Sequence, residues 1–128
     1  HNIDGKSIVN LVKGTSDQSP QEAYYFYYGK QLQAVRSGKW KLHFPHGYRT
    51  MAGKEGGKDG IPTAYAQTKI GLSLFNLEKD IGETMDVKAQ HPKVLAKLKS
   101  LGQAMRKELG DQGQKGSGQR EAGRLTKR

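Results

Sequence analysis

The chain of 128 residues contains no cysteine. Disulfides, thiolate metal sites and a thiol nucleophile are therefore excluded within it, and the redox compartment is left open. Apolar residues are scarce as well: they make up 34% of the chain, and the mean hydropathy is −0.83. A core has to be concentrated in a few segments rather than spread along the sequence. No apolar run approaches the roughly 20 residues that cross a bilayer, and no signal-peptide pattern is present. An initiator Met is missing too. The chain starts His1-Asn2-Ile3 and is expected to be an excised or processed fragment, so the missing signal says little about export. The length is enough for one modest domain.

What the chain has in excess is positive charge. Its 22 Lys and Arg outnumber 12 Asp and Glu, for a net charge of +10 and a pI near 9.8. Such a balance fits a solvated Lys-rich surface or a partner rich in phosphate or sulfate. Part of it is local, because Gln112–Arg128 carries Lys115, Arg120, Arg124, Lys127 and Arg128 against Glu121 alone. That stretch is rich in Gly and Gln, has Leu125 as its one large apolar residue, and is expected to be disordered from residue 111 to 128. Gly56-Gly57-Lys58-Asp59-Gly60 superficially resembles a phosphate-binding loop. It misses the G-x-x-x-x-G-K-[ST] pattern and lacks the strand-to-helix context.

The most informative stretch is Ala34–Phe44. It reads as two strands joined at Ser37-Gly38, and in its second half Trp40, Leu42 and Phe44 alternate with Lys39, Lys41 and His43. One face can enter a core, and the other offers two cations and an imidazole. Ahead of it, Ala23–Tyr28 packs four tyrosines and Phe26 into six residues, a strand by β-propensity. Gly29-Lys30 fits a two-residue type II′ turn, and Gln31–Arg36 returns antiparallel. Pro45–Lys69, with five glycines and two prolines, shows no periodicity and is expected to be a long loop. Ile70–Leu77 supplies a fourth strand. His91-Pro92 opens a helix, with proline at the first helical position. Val94, Leu95, Leu98, Leu101, Met105 and Leu109 form its apolar stripe, and Gly110 ends it. Gly102 within it costs about 1 kcal/mol relative to Ala. Near the N-terminus Asp4-Gly5 marks a turn, and Ser7 can cap a short helix bearing Ile8, Leu11 and Val12 and ending at Gly14. The fold class is α+β, a four-stranded antiparallel sheet with one long C-terminal helix packed on it.

Four patches, in order, resemble the C-terminal subdomain of the formylglycine-dependent sulfatases of the arylsulfatase A and N-acetylgalactosamine-6-sulfatase type. They are Asp4-Gly5-Lys6-Ser7 with the Leu-Val-Lys-Gly at 11–14, then Ala34–Phe44, then Leu74-Phe75-Asn76-Leu77 with Asp80-Ile81-Gly82-Glu83, and last His91-Pro92 with its helix. Phe75 and Asn76 stand where the family favours Tyr and Asp, and Ile81 replaces a proline. The resemblance implies that residues 1–22 are the end of the catalytic domain and a linker, and that 23–110 are the subdomain. It implies hydrolysis of sulfate esters of sulfated sugars or aryl compounds, in a periplasmic or secreted parent. The calcium and the formylglycine belong to a catalytic domain absent from this stretch, which has no Cys/Ser-x-Pro-x-Arg motif, so the chain alone is expected to turn over no sulfate ester. Its partners would be that catalytic domain in cis and an anionic sulfated substrate, with no membrane.

No catalytic residue and no metal ligand is assigned within the chain. Candidate substrate-binding residues are His43, Lys41, Lys39 and His46. The resemblance places the histidine at position 43 near the substrate pocket. An imidazole there can donate to a sulfate oxygen, and lysines beside it attract an anion as point charges. The plainer reading makes His43 a hydrogen-bonded strand histidine and the lysines solvated. His46, Tyr48 and Arg49 fall just beyond the strand, at a cleft rim. Arg36 reads as structural, and Trp40, Leu42, Phe44 and Phe26 as core. Two other functions stay open: a small basic nucleic-acid-binding module, supported by the charge but by no recognisable motif, and a carbohydrate-binding module using Tyr24–Tyr28 as a stacking platform.

Overall fold

The computed structural model describes residues 5–121 and residue 123. In order, they form a one-turn helix α1 (Val9–Val12), then strands β1 (Tyr24–Tyr28), β2 (Gln31–Ser37), β3 (Trp40–His43), β4 (His46–Thr50), β5 (Ala66–Ile70) and β6 (Ser73–Asn76). The long helix α2 (Pro92–Leu109) and a short pair, β7 (Gly110–Asp111) and β8 (Gln114–Lys115), complete them. Strands β1, β2, β3 and β6 make an antiparallel sheet in the order β1-β2-β3-β6. With α2 laid on one face, this is the α+β layer pair expected from the sequence.

The turns explain the meander. Gly29 takes φ +57° while Lys30 keeps a negative φ, as a turn with glycine first requires. The second turn differs from expectation by one residue. Ser37 pairs with Trp40, so the two-residue connection is Gly38-Lys39 rather than Ser37-Gly38, with Gly38 at φ +55°. Between β1 and β2 the register slips, so that Phe26 faces Ala34 while Tyr27 faces Leu32. The extra residue, Gln33, is a bulge, and it brings Leu32 and Val35 onto the same face although they are three apart.

That face is the core. Leu32, Val35, Leu42, Phe44 and Leu74 pack beneath Leu98, with Val94, Leu95, Leu101 and Met105 around them. Burying each such side chain fully contributes about 1.5–3 kcal/mol. Gly102 sits directly over Phe44: a Cβ at this position would lie 2.3 Å from the ring Cζ. Trp40, half-buried, packs its ring against His91 with centroids 4.6 Å apart. Phe26 does not join this core. Its cross-strand neighbour Ala34 pairs with His43, which places Phe26, half-buried, on the opposite face of the sheet.

Other expectations are corrected by the structure. Residues 45–69 are not an aperiodic loop. Strands β4 and β5 pair from His46–Ile70 to Thr50–Ala66 in a separate hairpin, leaving only 51–65 as its tip. The hairpin buries no side chain fully, so no apolar alternation betrays it. The fourth strand is shorter than Ile70–Leu77, because Ile70 belongs to β5 and β6 begins at Ser73. The tail is ordered beyond residue 111. Asp111 accepts from Leu32 N–H at 3.1 Å and from Arg106 Nε at 2.5 Å. Ser117 and Gly118 then donate their N–H groups to the Lys107 and Glu108 carbonyls at 2.9 and 2.7 Å. The last carbonyls of α2, which a helix end leaves without partners, are thereby satisfied. Residues 122 and 124–128, where the rest of that expectation falls, lie outside the described residues, as does Asp4 of the Asp4-Gly5 turn. Helix α1 starts one residue later than a Ser7 cap implies, with Ile8 at the cap, and Gly14 follows it at φ +67°. Among the described residues, no helix is long and apolar enough to cross a membrane.

Candidate functional site

The face of the sheet away from α2 is built by strand register. Tyr24, Arg36, Lys41 and Phe75 lie in one cross-strand row, and Phe26, Ala34, His43 and Ser73 in the next. Ala34 and Phe75 are buried and give the face an apolar floor. Lys41 and His43 are drawn down onto it, with side chains only 17% and 13% exposed.

Both turn towards Glu83. The Glu83 carboxylate accepts from Lys41 Nζ at 2.5 Å and sits 2.8 Å from His43 Nε2. Asp80 shapes the loop that delivers it. Its carboxylate accepts from the Met85 and Thr84 N–H groups at 2.8 Å each and from the Thr84 hydroxyl at 3.0 Å. These bonds hold the Asp80 pKa below the usual carboxylate value. Within that loop Glu83 takes φ +54°, a left-handed conformation uncommon for a residue with a Cβ. The Lys41 ammonium also lies over the Phe26 ring, 4.9 Å from its centroid.

His46, at the start of β4, covers the cluster from the other side. Its ring stacks on His43 with centroids 5.4 Å apart and an interplanar angle of 20°. His46 Nδ1 is 2.7 Å from the Phe44 carbonyl oxygen. Tyr48 follows on the same side of β4, its ring centroid 6.2 Å from that of His46, and is exposed. Phe75 meets the His43 ring edge-on. His43 Nδ1 is buried and has no hydrogen-bond partner among the described residues. Burial pushes the His43 pKa down, and the nearby Lys41 and His46 reinforce this. The Glu83 charge and hydrogen bond oppose it without reversing it. Burial thus favours the neutral imidazole.

Of the four residues singled out from sequence, the fold brings three together: Lys41, His43 and His46. Lys39 is elsewhere, in the β2–β3 turn, paired with Glu78 at 2.8 Å and exposed to solvent. Arg36 closes the same turn, donating from Nε to the Gly38 carbonyl at 3.0 Å. Arg49 projects from the other side of β4 towards the Tyr65 ring, 5.9 Å from its centroid. Sequence reasoning missed Glu83. Its signal was present in Asp80-Ile81-Gly82-Glu83, which reads locally as a turn and reveals nothing about a partner 40 residues upstream. With Glu83 in place, the Lys41 ammonium is paired with a carboxylate inside the cluster.

No group of three His, Cys, Asp or Glu side chains able to hold a metal ion occurs among the described residues. Hollows of about 630 and 690 Å³ lie at the C-terminal end of α2, beside Gln114 and Lys115, and neither includes a candidate site residue. A family model described as the C-terminal region of aryl-sulfatase matches residues 19–123. A search of curated proteins returned no match.

Proposed function

The chain belongs to the family of C-terminal regions of aryl-sulfatases, and on that premise we propose that it forms part of the substrate-cleft wall in a sulfatase of the arylsulfatase A and N-acetylgalactosamine-6-sulfatase type. The observation that carries this reading is the Lys41–Glu83–His43 cluster under the stacked His46. It is ordered, half-buried and polar, and it stands on the sheet face that α2 leaves uncovered.

The reactive groups come from the catalytic domain in cis. A calcium and a formylglycine do not fit the residues present. There is no cysteine, no acidic cluster among the described residues, and Asp80 and Asp111 are engaged with Thr84 and Met85 and with Arg106. This region therefore contributes binding and shape rather than bond cleavage. The substrates are sulfated sugars or aryl sulfates, and the parent is periplasmic or secreted. Ile8 and Val12 near the N-terminus and Tyr24 and Tyr28 on β1 are exposed, and they are the surface on which the catalytic domain rests.

The test is His43→Ala in the full-length parent, assayed with p-nitrophenyl sulfate and with a sulfated monosaccharide. The substitution removes the ring on which His46 stacks, together with its bond to Glu83, and the expected fall in kcat/KM is about ten- to a hundredfold, the equivalent of roughly 1.5–3 kcal/mol. Unchanged kinetics on both substrates, in a variant that melts like the wild type, would remove this face from the cleft.

A further inference from the structure

Both histidines of the cluster have their tautomers fixed by what they touch. An ionised carboxylate accepts hydrogen bonds and donates none, so the His43 nitrogen facing Glu83, Nε2, carries the proton and Nδ1 keeps its lone pair. A backbone carbonyl likewise only accepts, so His46 Nδ1 carries a proton and, in the neutral ring, Nε2 is the acceptor. His46 Nε2 has no protein partner among the described residues and sits beside the exposed Tyr48 ring. The one fully charged cation within the cluster, Lys41, is committed to Glu83.

We propose that Glu83 is the positioning residue of this face. By holding Lys41 and fixing the orientation of the His43 ring under His46, it seats His46 with its Nε2 as a hydrogen-bond acceptor, and the ligand class this suits is a neutral sugar ring rather than the sulfate group. This rests on the cleft-wall reading and deepens it. A pyranose brings hydroxyl donors for the His46 lone pair and a C–H face for Tyr48, whereas a sulfate brings acceptors that this lone pair repels. The left-handed backbone at Glu83 fits the role, because a strained residue survives where its side chain must reach one position. Orientation of a histidine ring by a hydrogen bond to a carboxylate is a general positioning device.

The experiment uses the ¹⁵N-labelled 128-residue chain at pH 7.5. Long-range ¹⁵N–¹H spectra assign the protonated nitrogen of each ring, since the bare nitrogen resonates far downfield of the protonated one. The expected result is Nε2–H for His43 and Nδ1–H for His46. Glu83→Gly removes the carboxylate while allowing the positive φ, and should move the His43 nitrogens towards a tautomer mixture. Glu83→Gln, which keeps an acceptor oxygen, should restore much of the Nε2–H form. Titration with methyl β-glucopyranoside should shift His46 and Tyr48 in the wild type and shift them less in Glu83→Gly, while inorganic sulfate at the same concentrations leaves them in place. Nδ1–H on His43, or a wild-type tautomer in Glu83→Gly, overturns the positioning role. Shifts with sulfate and none with the glycoside overturn the ligand class. Both measurements are made on this chain, so their failure is distinguishable from wild-type kinetics in the His43→Ala parent, which would sink only the cleft-wall reading.

Discussion

Gly102→Ala sets two well-characterised effects against each other. In a helix interior Ala is favoured over Gly by about 1 kcal/mol, so propensity alone predicts a more stable protein. Packing predicts the reverse. The new methyl would sit 2.3 Å from Phe44 Cζ and 2.9 Å from Cε2, well inside van der Waals contact. Phe44 is a rigid ring, buried among Leu32, Leu42, Leu74 and Leu98, so it has no flexible end to withdraw. Its outer face is occupied too, by the Arg106 guanidinium 4.0 Å from the ring centroid. Overfilling a packed core costs roughly 1–3 kcal/mol, and disturbing the Arg106 stack adds to it, leaving a net loss of about 1–2 kcal/mol after the propensity gain. For a domain of this size that is a drop in Tm of roughly 4–8 °C per kcal/mol, read by circular dichroism at 222 nm. Phe44→Leu should absorb most of the damage in a double-mutant cycle, because the methyl then meets a side chain that can turn aside. A higher Tm for Gly102→Ala than for the wild type would refute the packing argument and show that propensity decides.

The depressed His43 pKa makes stability pH-dependent with a definite sign. The unfolded chain takes up the proton first, so the stabilisation is complete above 6.5 and is lost as pH falls from there through the lower folded value. Urea midpoints should fall between pH 7.5 and pH 5 in the wild type and fall less in His43→Gln; equal slopes would refute the assignment. Asp111 is held below its usual pKa because bonds from Gln112 N–H, Arg106 and Leu32 N–H outweigh its burial. Its contribution is therefore present above 3.8 and lost as pH falls through the folded value, and Asp111→Asn should cost about 1–3 kcal/mol in urea unfolding at pH 7. An unaltered midpoint would show that the return of the chain over α2 does not depend on that carboxylate.

What was legible in the sequence was whatever buries one face. The alternation of Trp40, Leu42 and Phe44 and the stripe from Val94 to Met105 both announce a core, and the core is where they place it. Strands β4 and β5 left no trace because neither buries a side chain fully, and period-two patterning exists only where one face is hidden. The tail looked disordered from composition. Its order comes instead from backbone bonds of Ser117 and Gly118 to the end of α2, which need no apolar side chain. Close approach there is possible because Gly110 and Gly116 lack a Cβ: one added to Gly116 would lie 2.2 Å from the Glu108 carbonyl oxygen. Gly102 was legible as a cost but not as a requirement, since propensity is local and the Phe44 ring arrives from 58 residues away. The candidate site was visible in part for the same reason. Lys41, His43 and His46 lie within six residues of one another in sequence, whereas Glu83 is brought to them by tertiary structure.

The charges of the cluster are not explained by stability. Sinking an ammonium, a carboxylate and an imidazole onto the floor formed by Ala34 and Phe75 removes each from most of its water, and a buried ion pair of this kind is often matched or bettered by apolar side chains of the same volume. Face for face, the comparison is available within this sheet. The α2 side is filled by Leu, Val and Phe, with the Arg106–Asp111 pair against the Phe44 ring as its ionic contact, and the same strands could have presented apolar residues on the other side as well. They present Lys41 and His43 instead, reached by a glutamate that holds a left-handed backbone to arrive there. Local cost is thus accepted twice at this cluster, in desolvation and in backbone strain. The arrangement gains a defined geometry: Lys41 is neutralised, the His43 ring is fixed, and His46 is seated above it. A surface meant only to be covered by another domain has no use for a ring held in one orientation, whereas the ligand-facing role proposed for this cluster would depend on it.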